Sequence, residues 1–84
     1  MSGFVVQAFE KAVFGGVLKE LRAEKGISQE RLALDAGIDR SYISKLETGV
    51  YQPSLTMLFA IAGVLSVPPE EIVRRISASL ESSN

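Results

Sequence analysis

The chain has 84 residues, with 9 Lys and Arg against 10 Asp and Glu, a formal net charge of −1. At this length one domain buries roughly 60–65% of its unfolded surface, enough for a modest core without staples. There is no Cys and no His, which removes disulfides, thiolate metal sites, and the commonest metal ligand and general base, so no metal, cofactor or enzymatic activity is expected.

Near the N-terminus, Phe4, Val5, Val6, Ala8 and Phe9 are apolar but lack a preceding basic segment and a cleavage site, so they do not read as a secretory signal. A first helix is predicted from about Gln7 or Ala12 to Lys25, with Phe9, Val13, Val17 and Leu21 at every fourth position and Phe14 and Leu18 alongside. Gly26 ends it. A second helix covers about Gln29 to Ala36, and a third about Arg40 to Leu46, with Gly49 as its stop. Pro53 and Ser54 precede a fourth helix, Leu55 to Leu65, whose Leu55, Leu58, Phe59 and Ala62 are expected to close the core over the first helix. Gly63 inside it costs about 1 kcal/mol. The longest apolar run, Met57 to Leu65, falls well short of the roughly 20 residues a membrane helix needs, so a cytoplasmic protein without membrane contact is expected. Pro68 and Pro69 start a fifth helix, with Glu70 and Glu71 in its first turn and Arg74 and Arg75 in its last turns, both favourable against the helix dipole. Residues 1–13 are expected to be an apolar extension, either lengthening the first helix or making a dimer contact, 14–80 the domain, and 81–84 a short frayed tail. No sensing domain is expected, so regulation would come from protein concentration, dimer dissociation or a partner.

The stretch SQERLALDAGIDRSYISKLE, residues 28–47, carries the functional information. Ser28 can cap the second helix, Leu32, Ala33 and Ala36 share one face, and Gly37 suits the positive φ at its end. The smallness of Ala33 lets two helices cross steeply over a tight turn. Asp39 is placed to cap the third helix, in which Ile43 and Leu46 face inward with Ile38 just before the cap. Arg40, Ser41, Ser44 and Lys45 then point outward. Two short helices joined by a glycine turn, the second polar, are how a small protein presents a helix to the DNA major groove.

By the spacing Gln29, Leu32-Ala33, Ala36-Gly37-Ile38, Ile43-Ser44 and Leu46-Glu47, followed by Gly49, the chain resembles the phage lambda repressor and Cro type of helix-turn-helix protein, the Xre family, from about Phe14 to Ile76. The motif DRSYIS is also similar to that of restriction-modification controller proteins. The resemblance implies an all-α, compact five-helix domain that binds double-stranded DNA. It further implies that Gln29, with Ser28 beside it at the start of the second helix, contacts the DNA backbone, both being assigned there, that Tyr51 and Gln52 clamp the sugar-phosphate chain, and that Arg22 and Glu47 form a buried ion pair. The bland reading of that pair is two solvated charges. Ser66 stands where relatives often have glycine.

Position along the third helix makes Arg40, Ser41, Ser44 and Lys45 the candidates for base edges. Arg40 can donate two hydrogen bonds to guanine O6 and N7, or grip a phosphate. Tyr42 either packs or lies along a thymine methyl, and packing is favoured. Against this, residues 19–47 contain six charges of each sign, with no basic excess. Few phosphate ion pairs and a shallow salt dependence are therefore expected, with reliance on backbone amides and neutral donors.

One recognition helix reads too few base pairs for useful specificity, so a homodimer on a roughly twofold operator is expected. Ile72, Ile76 and Leu80, with Val73 beside them, supply either a dimer face or the monomer's own core. Phe4 and Val5 are assigned to the same interface. The leading functional reading is a sequence-specific DNA-binding transcriptional regulator, a repressor or small controller protein. The alternative is an antitoxin-like interaction module with a protein partner, DNA binding being secondary.

Overall fold

The computed structural model describes the backbone of residues 3–82 and the side chains of residues 11–82. Five helices make up its regular structure: α1 Gly3–Lys25, α2 Gln29–Ala36, α3 Arg40–Glu47, α4 Leu55–Leu65 and α5 Pro69–Ser82. The all-α, five-helix expectation holds. α1 begins at Gly3, ahead of the predicted start at Gln7 or Ala12, so its backbone runs through the apolar N-terminal segment as the helix-lengthening alternative has it; no proline or capping residue interrupts the chain between Gly3 and Lys25. The side chains of Phe4 and Val5, assigned to a dimer interface, lie outside the described residues, as do Ser83 and Asn84 of the tail.

α1 is the spine. It packs along α5 and across α3, while α2 sits against α3 and α4. Phe14, Val17, Leu18 and Leu21 of α1 bury on one side, as their i, i+3, i+4, i+7 spacing requires. They meet Leu32 and Ala33 of α2, Ile43 and Leu46 of α3, Leu58, Ile61, Ala62 and Leu65 of α4, and Ile72 of α5 in one cluster. Each fully buried Leu or Ile here contributes about 1.5–3 kcal/mol of transfer free energy.

α4 corrects the expected face. Leu58 and Ala62 are buried as predicted, but Leu55 is 70% and Phe59 55% exposed, and Ile61 and Leu65 take their places. The same helical template fits both sets, three residues apart, and a helix this apolar has no polar face to fix the phase. α4 also leans on α2 more than on α1. It ends at Ser66, which adopts the left-handed conformation (φ 57°, ψ 42°) usually taken by glycine, while the Val67 N–H donates back to the Ala62 carbonyl at 3.0 Å.

α5 departs from expectation too. It runs to Ser82, so Arg74 and Arg75 sit mid-helix, and no basic residue occupies its last turn. Their partners are side chains instead. Arg74 bonds Glu71, and Arg75 donates to Glu71 at 2.9 Å and across to Glu20 and Glu24 of α1 at 2.7 and 2.8 Å. These bonds hold the Glu24 and Glu71 carboxyls below the usual carboxylate range. No single helix among the described residues is long and apolar enough to cross a membrane.

Candidate nucleic-acid interface

The site is built on α2, the turn and α3. The Ser28 side chain accepts the Arg31 backbone N–H at 3.0 Å, capping α2 as its sequence position suggests. The cap uses the hydroxyl oxygen as acceptor and leaves its proton to donate outward. At the other end Gly37 takes φ 70°, and the Ile38 N–H returns to the Ala33 carbonyl at 2.9 Å. This closure reverses the chain within a few residues and seats Ile38 against the core.

α3 then starts at Arg40 with Asp39 in the capping position, but the Asp39 carboxylate makes no capping hydrogen bond. This corrects the expected cap. Only the Asp39 carbonyl serves the helix start, accepting from Tyr42 N–H at 3.0 Å. Asp39 joins Arg40, Ser41, Ser44 and Lys45 around a shallow open depression on the outer side of α3.

The inner side of α3 is tied down. Ile43 and Leu46 have no exposed surface, and Glu47 is buried at 6% exposure. Arg22 Nε and Nη2 donate to the two Glu47 carboxylate oxygens at 2.6 and 2.9 Å, and Arg22 Nη1 donates to the Ile27 carbonyl at 2.8 Å. The paired arrangement implied by the family resemblance is present, in the bidentate geometry that makes such pairs strong. Burial pushes the Glu47 carboxyl up, but hydrogen bonds from Arg22 and Gln29 and the Arg22 charge outweigh it and hold the group below the usual carboxylate range. The same bond raises Arg22 above an ordinary arginine. Among the described residues, no buried side-chain nitrogen or oxygen is left without a partner.

Gln29 is drawn into this network. Its Nε2 donates to Glu47 Oε1 at 3.0 Å, so one amide proton faces the protein and one remains to reach outward. Sequence reasoning missed this link, because residues 18 apart carry no local signal of contact.

The loop after α3 wraps back onto it. Val50 and Tyr51 N–H both donate to the Lys45 carbonyl, at 2.9 and 3.1 Å. Tyr42 is half-buried and packs against the core, as favoured from sequence, and its ring lies 5.7 Å from that of Tyr51 at 38°. Lys45 Nζ sits 5.3 Å from the Tyr51 ring centroid. Tyr51, Gln52 and Val50 are exposed on the same margin.

The α5 stripe divides. Ile72 is 1% exposed and belongs to the monomer core, which removes it from the expected dimer face. Ile76 and Leu80 are half-buried, Ile76 packed on the core, whereas Val73 is 52% exposed. Steps of four residues advance about 40° around a helix, so such a stripe winds away from the core it starts in. Val73 and Ile76 line an apolar groove with Phe14, Pro53, Leu55 and Leu58.

A helix-turn-helix family profile matches residues 18–72. The immunity repressor protein of Bacillus phage phi105 is 39% identical over 59 residues, which cover 70% of this chain and 41% of that repressor. The restriction-modification controller protein C.AhdI from Aeromonas hydrophila superposes with a TM-score of 0.71 at 43% identity, over 73% of this chain and 92% of that one. The biofilm regulator SinR, solved in complex with DNA, superposes with a TM-score of 0.68 at 34% identity, over 71% of this chain and 97% of that one. The turn geometry at Gly37, the inward Ile43 and Leu46, and these matches together establish that the chain belongs to the helix-turn-helix family of lambda repressor and Cro type.

Proposed function

We propose that the protein is a sequence-specific DNA-binding regulator of transcription that acts in the cytoplasm as a homodimer. The observation that carries this reading is α3 itself. Ile43, Leu46 and the paired Glu47 fix one side of it, so that Arg40, Ser41, Ser44 and Lys45 present hydrogen-bonding groups on the other. A polar helix held this way can enter the major groove without reorganising. Arg40 is the base reader, through two donated hydrogen bonds to a guanine edge. Ser28, the outward amide proton of Gln29, Tyr51 and Gln52 engage the sugar-phosphate chain on either side. The SinR complex with DNA supports the docking mode, and C.AhdI and the phage repressor support the regulatory role.

Two copies meet through Val73, Ile76 and Leu80 of α5 and the exposed Leu55, which places two α3 helices on half-sites about 34 Å apart. The test is Arg40→Ala on a duplex enriched from random sequence. The reading predicts a loss of about 1–3 kcal/mol per half-site on that duplex and a relaxed preference at one base pair in each half-site. An equal loss on every sequence would move Arg40 from base to phosphate.

A further inference from the structure

Lys45 lies on the outward face of α3, opposite the buried Ile43, Leu46 and Glu47. With about 100° between successive residues, Arg40, Ser44 and Ser41 fall within one 100° sector, and Lys45 lies about 40° beyond it toward Tyr42. Its ammonium stands 5.3 Å from the ring centroid of Tyr51, in the loop that follows α3, inside the range of a cation–π contact. The ring is itself fixed from two sides. Tyr42 packs against it at 5.7 Å, and the Tyr51 backbone N–H donates to the Lys45 carbonyl at 3.1 Å. Lys45 thus anchors the loop through its main chain, and the loop returns to hold the Lys45 side chain.

We infer that Tyr51 is a positioning residue that turns the Lys45 ammonium away from base edges and toward the phosphates flanking the recognition helix. This deepens the DNA-binding reading and rests on it. The inference divides the outward residues of α3 into readers (Arg40, Ser41, Ser44) and one sequence-blind charge, with Tyr51 deciding which kind Lys45 is. In a chain of net charge −1, a lysine held in place is worth more to phosphate binding than one that swings freely.

The experiment has two arms. In the unbound protein, proton NMR of the Lys45 ε-methylene should show an upfield ring-current shift that persists in Tyr51→Phe and vanishes in Tyr51→Leu. In the second arm, Lys45→Met, Tyr51→Leu and the double variant are titrated with a selected duplex and with a random one. Lys45→Met should weaken binding by the same factor on both and lower the slope of log affinity against log salt by about 0.9 per subunit, about 1.8 for the homodimer. Tyr51→Leu should cost about two- to fivefold less per subunit in the Lys45→Met background than in the parent, the size of one exposed cation–π contact. A Lys45→Met loss confined to the selected duplex, additive losses in the cycle, or an absent ring-current shift would each overturn the inference. Failure of the parent protein to bind any duplex would instead refute the DNA-binding reading, and the NMR arm would still decide whether Tyr51 holds Lys45.

Discussion

Gly15 and Gly16 are neighbours in α1 with opposite surroundings, and this gives a matched test of how α3 is held. A Cβ on Gly15 would lie 2.5 Å from the Glu47 carbonyl oxygen and 2.7 Å from that of Leu46, both backbone atoms at the end of the recognition helix. A Cβ on Gly16 would meet nothing within 4 Å. Replacing a helical glycine by alanine gains about 1 kcal/mol where space allows, so Gly16→Ala should stabilise by about that amount. For Gly15→Ala the obstructing atoms cannot rotate aside, and the last turn of α3 must move. Overpacking of this kind costs about 1–3 kcal/mol, and main-chain obstruction places it at the upper end. After the helix gain, a net loss of about 2 kcal/mol remains, and the two variants should differ by about 3 kcal/mol. Thermal unfolding followed by far-UV circular dichroism would show this as a separation of more than about 10 °C between their midpoints. If Gly15→Ala were as stable as Gly16→Ala, the close approach of α1 to α3 would be wrong, and with it the account of what fixes the recognition helix.

Other consequences follow from the same packing. Arg22→Met leaves the buried Glu47 carboxylate with Gln29 alone and should cost about 3 kcal/mol in urea unfolding at neutral pH. Because Glu47 is held below its unfolded value, its contribution is present above the ordinary carboxylate range and is lost as pH falls through the lowered folded value. Stability measured against pH should therefore drop on acidification in the parent and drop less in Arg22→Met. Ser66→Gly removes the left-handed penalty at the end of α4 and should stabilise by about 1 kcal/mol; an unchanged midpoint would argue against the φ of 57°. Val73→Glu places a charge in the exposed part of the α5 face and should shift sedimentation toward monomer without lowering the unfolding midpoint, and an unaltered self-association would exclude Val73 from the interface.

What was legible in the sequence was local. The Ser28 and Gly37 ends of α2, the inward pair Ile43 and Leu46, and the boundaries of α4 follow from spacing and capping chemistry within a few residues. The Arg22–Glu47 pair joins residues 25 apart, and it came from family resemblance rather than from any periodicity. Where local rules allowed two answers, packing chose. α4 is apolar all round, so packing set its buried face three residues along, about 60° around the helix from the expected one, and α5 gave Ile72 to the monomer core. Asp39 occupies a capping position without capping, because the backbone conformation of a cap permits the side-chain bond but does not compel it. The Tyr42–Tyr51–Lys45 cluster and the Gly15 approach depend on how the loop and α1 lie against α3. A pair of glycines inside a predicted helix was the one sequence signal that a close contact waited there.

Selection of binding sites from random duplex DNA, with the affinity of the enriched sequences measured at two salt concentrations, tests the central claim most directly. The account predicts a twofold-symmetric motif with half-sites about one helical turn apart and a shallow loss of affinity with salt. No enrichment, with weak binding at both concentrations, would contradict it and leave the acidic balance of the chain as the decisive fact.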